Sequence, residues 1–143
     1  IYGSQPEEFS AKADFSSEGI DTHLGVVAKY PNGGLARLGS AINAAIGFSG
    51  RVIGSEGMIE IPFFWQAEKA ALTANDSSEE ISIPHEVNGL EYQIREVQKC
   101  LESGAVESDV VPWSWSLSMS RLMDEIRSEI GVIYPADKES ENG

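Results

Sequence analysis

The 143-residue chain has one cysteine, few basic residues and no long apolar run, and each shortage excludes a class of protein. Cys100 alone cannot form an internal disulfide or a thiolate metal cluster, so we expect a packing thiol in a reducing, cytoplasmic environment. No apolar run approaches the roughly 20 residues that span a bilayer. Ten basic residues against 23 acidic ones give a net charge of −13, which disfavours binding to nucleic acid and to anionic membranes.

The beginning of the chain also lacks an initiator methionine and a signal-peptide pattern. The missing methionine suggests a fragment or a processed chain. Because 41% of the residues are hydrophobic, the chain has enough apolar side chains for one folded domain. We expect this domain to span residues 1–138, followed by a polar tail over 139–143.

The first part of the chain is predicted to form strands. Apolar and polar residues alternate over 9–15 and 22–30, which is typical of half-buried strands. Asn32-Gly33 and Gly54–Gly57 are typical of hairpin turns. The predicted strands are about 9–15, 22–30, 35–45, 51–53, 58–61, 69–73 and 80–83. Because short turns cannot connect parallel strands, the sheet should be largely antiparallel.

The last third is predicted to form two amphipathic helices. Their apolar positions recur at helical spacing: Leu90, Ile94, Val97 and Leu101 in the first, and Met119, Leu122, Met123, Ile126 and Ile130 in the second. Asn88 is the predicted N-cap of the first helix, and Gly104 and Gly131 are the predicted ends. Both helices need an apolar surface. We therefore predict an α+β fold: an open-faced, largely antiparallel sheet of six to seven strands with two C-terminal helices on one face.

Residue spacing alone nominates no acid–base pair, metal site or phosphate-binding loop. Gly54-x-x-Gly57 lies between two predicted strands, so it indicates a hairpin and not a dinucleotide loop. His23 reads as a surface or interface histidine within a strand. His85 lies in the loop between the last strand and the first helix, where side chains often line ligand sites. His85 is therefore the first candidate for a substrate pocket, and no catalytic, cofactor-binding or metal-binding residue is named.

The chain also carries short motifs in a fixed order. They are Gly19-Ile20-Asp21, Tyr30-Pro31-Asn32-Gly33-Gly34, the segment 53–61, Tyr92…Glu96-Val97…Cys100-Leu101…Gly104…Glu107-Ser108, and Ile126-Arg127…Ile130-Gly131-Val132…Tyr134-Pro135. Taken together, the motifs resemble the C-terminal domain of the glucose–fructose oxidoreductase / inositol dehydrogenase family, in its dihydrodiol dehydrogenase-like branch. The resemblance covers about residues 3–138.

This resemblance implies a two-domain oxidoreductase of which the chain is one part. An N-terminal Rossmann domain, absent here, would bind NAD or NADP, and the catalytic residues would lie upstream of Ile1. The present domain would bind no cofactor, shape the pocket for a small-molecule substrate and form a homo-oligomer through its open sheet face. The substrate would be a secondary alcohol such as a sugar, a cyclitol or a diol, and the fragment alone would be inactive.

The resemblance adds Asp14 and Tyr92 to His85 as substrate-pocket candidates. In the dihydrodiol branch a basic residue is expected on the first strand, where this chain has Asp14, so a sugar or cyclitol substrate is at least as consistent as an aromatic diol. An alternative from another class is a stand-alone, non-enzymatic α+β module that dimerises or scaffolds a partner. The residues present do not exclude that alternative.

Overall fold

The computed structural model describes residues 3–134, and the predicted polar tail lies outside them. Seven strands form two antiparallel meanders: β1 (Glu8–Phe15), β2 (Asp21–Lys29) and β3 (Leu35–Ala41) in one sheet, and β4 (Ser49–Ile53), β5 (Gly57–Pro62), β6 (Lys69–Ala74) and β7 (Ser77–Ser82) in the other. Two helices follow, α1 (Glu91–Ser103) and α2 (Trp113–Ile130). The predicted α+β class with antiparallel strands and two C-terminal helices is confirmed.

The structure refines this prediction by dividing the strands and helices between two compact units. The first unit contains the described residues through Ile46 and those from Val110 onward, which are β1–β3 and α2. The second unit is Gly47–Asp109, with β4–β7 and α1. The predicted third strand, 35–45, ends at Ala41 in the structure, and the segment after it contains Gly47 at φ +79°.

The predicted hairpins are formed by the expected turn residues. In the β2–β3 turn, Tyr30 and Gly34 pair through a backbone N–H···O bond of 2.9 Å, and Gly33 has φ +81°. Between β4 and β5, the Gly54 N–H donates to the Gly57 carbonyl at 2.9 Å. Because these connections are so short, consecutive strands within each sheet pair with one another.

The first unit has its core between α2 and one face of the three-stranded sheet. Ala11, Val26 and Ala28 point to this face and are buried, as is Val132 just after α2. The backbone N–H of Ala11 donates to Glu129 Oε1 at 2.8 Å, so a carboxylate of α2 satisfies a buried donor of β1.

The opposite face of the same sheet is exposed. It is termed the open face and comprises Glu8, Ser10, Lys12, Asp14, His23, Gly25, Val27, Lys29, Leu35, Arg37 and Gly39, which alternate with the core residues and pair across the strands. One covered face and one exposed face are what the sequence pattern indicates for this sheet.

Both helices end as predicted, at glycines in the left-handed region. Gly104 has φ +70° and Gly131 has φ +78°, and each N–H bonds to carbonyls of the last helical turn. Helix α2 begins after Pro112, whose carbonyl accepts from the Trp115 N–H at 3.0 Å. These ends fix the lengths of α1 and α2 at 13 and 18 residues.

Candidate functional site

The loop between β7 and α1, residues 83–90, is held in place by Glu68. The Glu68 carbonyl accepts from the Ile83 N–H at 2.8 Å, and its carboxylate Oε1 accepts from the His85 N–H at 2.9 Å. One residue before β6 therefore binds the loop through both its backbone and its side chain. This double attachment gives the His85 backbone a defined position.

The His85 imidazole is enclosed on one side by the turn at Gly89. A Cβ on Gly89 would lie 3.1 Å from both Cε1 and Nε2 of the ring, and Gly89 has φ +87°. His85 Nε2 is buried and has no hydrogen-bond partner within residues 3–134. The Tyr92 ring lies 5.7 Å from the imidazole, tilted by 57°. The structure thus brings together two of the three predicted pocket residues, His85 and Tyr92.

The turn that precedes helix α1 is closed by side-chain hydrogen bonds of Asn88 and Glu91. Asn88 Oδ1 accepts from the Leu90 N–H at 3.1 Å, and Glu91 Oε2 accepts from the Asn88 N–H at 3.2 Å. Glu91 Oε1 also accepts from the Val87 N–H at 2.9 Å. The predicted N-cap at Asn88 is wrong: the helix starts at Glu91, its N-cap is Leu90 without a side-chain capping bond, and Gly89 at φ +87° separates Asn88 from the helix. Asn88 instead closes the turn that precedes α1.

The hydrogen bonds that the Glu91 carboxylate accepts in this turn change its pKa. Desolvation raises the pKa of the carboxyl, but hydrogen bonds from backbone N–H groups, that of Val87 foremost, outweigh it and lower the pKa to about 2. Nearby, Arg95 donates to Glu86 through both guanidinium nitrogens, at 2.8 Å from Nη1 to Oε1. This hydrogen-bonded pairing lowers the pKa of Glu86 and raises that of Arg95. Glu86 and Glu91 therefore stay ionised at neutral pH.

Glu96 connects α1 to the segment that follows it. Ser108 Oγ donates to Glu96 Oε1 at 2.6 Å, and Cys100 Sγ lies 3.8 Å from the same oxygen. The Ser108 hydrogen bond lowers the pKa of Glu96, while desolvation and the Glu96 charge raise the pKa of the Cys100 thiol. A raised thiol pKa indicates a packing cysteine, as predicted, and not a reactive one.

Asp14, the third pocket candidate, lies in the other unit, on the open face of the three-stranded sheet. It pairs in register with His23 of β2, and its backbone carbonyl accepts from Thr22 Oγ1 at 3.2 Å. Asp14 and His23 are both exposed. The structure places Asp14 beside His23 and does not join it to the His85–Tyr92 pair.

A cavity of about 340 Å³ in the first unit was not predicted as a site. Its lining combines apolar side chains of β2 and α2 with Asp21, Asp124, Arg127 and Tyr134. The Arg127 guanidinium lies 4.9 Å above the Tyr134 ring, and its Nη2 is 3.4 Å from Asp124 Oδ1. Arg127 therefore contacts both Tyr134 and Asp124 in the lining of this cavity. The sequence signal was the apolar spacing of α2, which identified the helix but not the space beside it.

The described residues offer no fit for a dinucleotide cofactor. Within 3–134, the loop 83–90 is the one direct connection from a strand to an α-helix, and its single glycine, Gly89, contacts His85. Gly54 and Gly57 belong to a hairpin, and a Cβ on Gly57 would lie 2.4 Å from the Thr73 carbonyl oxygen. Cofactor phosphates need a glycine turn that opens a helix.

No cluster of three or more His, Cys, Asp or Glu side chains between residues 3 and 134 is arranged to hold a metal ion. Neither of the described helices has the length and apolarity needed to cross a bilayer.

The fold is similar to that of solved sugar oxidoreductases. Aldose-aldose oxidoreductase from Caulobacter crescentus superposes with a TM-score of 0.75 over 89% of this chain and 39% of that chain, at 18% identity. UDP-N-acetylglucosamine 3-dehydrogenase from Acidithiobacillus ferrooxidans superposes with a TM-score of 0.72 over 90% and 41%, at 12% identity. At these identities the likeness shows a shared fold. No protein-family model matches the chain.

Comparison of sequences identifies a narrower group of proteins than comparison of folds does. The chain is 31% identical over 147 residues to mouse trans-1,2-dihydrobenzene-1,2-diol dehydrogenase, 28% over 142 residues to the Xenopus laevis protein of that name, and 27% over 143 residues to the human one. These matches cover 93–96% of this chain but 42–44% of the relatives. The resemblance to the dihydrodiol dehydrogenase branch is thereby confirmed. The chain spans less than half the length of these relatives.

Proposed function

We propose that this chain is the substrate-binding and oligomerisation domain of an NAD(P)-dependent oxidoreductase that acts on a secondary alcohol. The proposal is carried by one observation: almost the whole chain matches dihydrodiol dehydrogenases of more than twice its length. The other part of the polypeptide would bind the cofactor, because the described residues offer no dinucleotide-binding turn, and it would supply the catalytic groups. The domain alone would then be inactive, and a reducing, cytoplasmic location stays a prediction.

The His85–Tyr92 pair supports a polyhydroxylated substrate such as a sugar, cyclitol or diol. Imidazole and phenol groups can each donate or accept a hydrogen bond, which suits hydroxyl groups. Glu68 fixes the His85 backbone, Gly89 packs against the imidazole, and Tyr92 is 45% exposed. A preformed pair of this kind orients a ligand with little loss of side-chain freedom. Asp14 remains a further proposed pocket residue.

The open face of β1–β3 supports self-association. It carries three basic residues, Lys12, Lys29 and Arg37, against two acidic ones, Glu8 and Asp14, whereas the whole chain has a net charge of −13. Gly25 and Gly39 are register partners at its centre, where a Cβ on Gly39 would lie 3.9 Å from the Ile46 side chain. A nearly neutral face with both signs of charge can meet its own copy in a two-fold contact without strong repulsion.

The experiment compares the full-length gene product with residues 1–143 alone. We expect the full-length protein to oxidise secondary alcohols of a sugar, cyclitol and diol panel with NAD or NADP, and the isolated chain to show no turnover. His85→Ala and Tyr92→Phe should raise KM for the accepted substrate in the full-length enzyme. As a matched control, Val87→Ala in the same loop should leave KM unchanged. A full-length product without a dinucleotide-binding unit would refute the proposal and favour the stand-alone module.

Self-association is tested separately. Val27→Glu places a charge in the centre of the open face and should convert the full-length oligomer to smaller species in light scattering. Val106→Glu adds the same charge at a residue that is 80% exposed and outside this face, and should change nothing. Equal behaviour of the two variants would exclude the open face as the contact.

A further inference from the structure

Glu68 attaches the loop 83–90 to the four-stranded sheet. The pairing of β6 with β7 begins at Lys69 and Ser82. The bond from the Ile83 N–H to the Glu68 carbonyl, at 2.8 Å, extends this ladder by one hydrogen bond. The backbone of Glu68 is therefore fixed by the sheet, and a side chain on such a rigid element positions its partner more precisely than one on a loop does.

The Glu68 carboxylate binds the loop a second time, beyond Pro84. Its Oε1 accepts from the His85 N–H at 2.9 Å, across 17 positions of the chain. Pro84 has no N–H, so the His85 N–H is the first backbone donor after Ile83. These residues all belong to the unit Gly47–Asp109, so the attachment is formed within one compact unit.

The second half of the loop is held separately, from helix α1. The Glu91 carboxylate accepts from the N–H groups of Val87 and Asn88 at 2.9 and 3.2 Å. His85 thus lies between two carboxylate attachments, one from the sheet and one from the helix. Loss of the Glu68 carboxylate would release the His85 backbone and leave the second half of the loop attached.

We propose that Glu68 is a positioning residue for substrate binding: its carboxylate holds the His85 backbone so that the imidazole lies beside the Tyr92 ring, ready to bind a substrate hydroxyl group. This inference rests on the proposed function, in which His85 and Tyr92 line the substrate pocket. Glu68 acts through the His85 backbone and does not touch the substrate. A preformed imidazole costs less to order when substrate binds, and this gain applies to the ground state and the transition state alike. Its loss should therefore raise KM and leave kcat nearly unchanged.

The test is steady-state kinetics of the full-length protein with D-glucose, myo-inositol and propylene glycol, using the one with the lowest KM. We expect Glu68→Ala to raise KM about tenfold, because it removes a hydrogen bond to a charged group, and to change kcat by less than about twofold. Glu68→Gln keeps an oxygen acceptor and should restore KM. Glu80→Ala is the matched control: it removes a carboxylate that binds Lys69 Nζ at 3.0 Å on the same hairpin, and it should leave KM unchanged.

Two further measurements distinguish positioning of the imidazole from a general loss of structure. Amide hydrogen exchange at His85 should be about tenfold faster in Glu68→Ala than in Glu80→Ala, because the bond to the His85 N–H is lost. In a His85→Ala background, Glu68→Ala should cause no additional rise in KM, since the imidazole that it positions is absent.

Three results would overturn the inference and leave the proposed function standing in an enzyme that is active with NAD or NADP. Unchanged amide exchange at His85 in Glu68→Ala would show that the carboxylate does not hold the loop. Faster exchange with an unchanged KM would show that the position of the loop does not matter for binding. An equal rise in KM with and without the imidazole would show that Glu68 does not act through His85. A gene product with neither a dinucleotide-binding unit nor activity contradicts both the inference and the proposed function.

Discussion

Gly89→Ala tests how tightly the turn encloses His85. The substitution has two separable effects, because Gly89 has φ +87° and because the new Cβ would meet the imidazole at 3.1 Å. A left-handed backbone destabilises a non-glycine residue by about 1–2 kcal/mol, which the lower entropy of the unfolded chain offsets by about 0.4–1 kcal/mol. The contact is several tenths of an ångström shorter than the usual 3.5–4.0 Å, and moving the ring adds roughly 1 kcal/mol.

Gly104→Ala is the matched control, because Gly104 has φ +70° and nothing lies within 4 Å of its Cβ position. We expect losses in the free energy of unfolding of about 2 kcal/mol for Gly89→Ala and about 1 kcal/mol for Gly104→Ala. The melting temperatures of the two variants should differ by about 3 °C. Urea denaturation at constant m-value measures the free energies, and a thermal scan measures the midpoints.

A double mutant completes this experiment. In a His85→Ala background the imidazole is absent, so Gly89→Ala should destabilise the protein by no more than Gly104→Ala does. The difference between the two backgrounds, about 1 kcal/mol, is the energy of the Gly89–His85 contact. The reasoning is refuted if Gly89→Ala and Gly104→Ala are equally destabilising with His85 present, because moving the imidazole away from the new Cβ would then cost no free energy.

Three further predictions concern single carboxylate contacts. Glu129→Ala should destabilise the protein by about 1–3 kcal/mol in urea denaturation because it leaves the Ala11 N–H buried and unsatisfied, whereas Glu129→Gln keeps an acceptor and should cost less. Ser108→Ala should raise the pKa of Glu96, measured by NMR titration of the side-chain carboxyl, because its principal hydrogen bond is lost. The pKa of Glu91 is depressed to about 2, so the stabilisation from its hydrogen bonds is present above the unfolded value near 4.5 and is lost as pH falls towards 2. The protection factors of the amide groups in the first turn of α1 should fall over that window and should not change with pH in Glu91→Gln.

Each of these predictions has a contrary result. Equal stability of Glu129→Ala and Glu129→Gln would mean that the Ala11 N–H finds another acceptor. An unchanged Glu96 titration in Ser108→Ala would show that the carboxylate is held by other groups. If the amide protection of the first turn of α1 still depends on pH in Glu91→Gln, the effect belongs to a different acid.

The strands and their turns were predictable because the information is local. Asn32-Gly33 and Gly54–Gly57 each specify a tight turn, and alternation over 9–15 and 22–30 specifies which residues face the core. The structure confirms these turns and the exposed opposite face of the three-stranded sheet. Local chemistry also marks the helix ends, since a glycine that accepts the left-handed region terminates each helix.

The division into two sheets was not predictable from periodicity, because strand patterns do not say which strands share hydrogen bonds across a longer connection. The packing of α1 was also beyond the pattern. An apolar stripe shows that a helix needs a partner, but it does not identify that partner. The candidate site also combines local and non-local information. The loop position made His85 a candidate, whereas its enclosure by Gly89 and the attachment of its backbone to Glu68 depend on contacts the sequence does not display.

The first unit is built from two stretches of chain separated by the whole of the second unit. Glu129 reaches Ala11 across 118 positions, whereas Gly47–Asp109 is continuous and its strands pair with their immediate neighbours. During synthesis on the ribosome, the continuous stretch can fold as soon as it emerges, but β1–β3 must wait with one face bare until α2 has been translated. A premature stop before Trp113 would therefore leave β1–β3 uncovered and prone to aggregation, although the second unit would be complete.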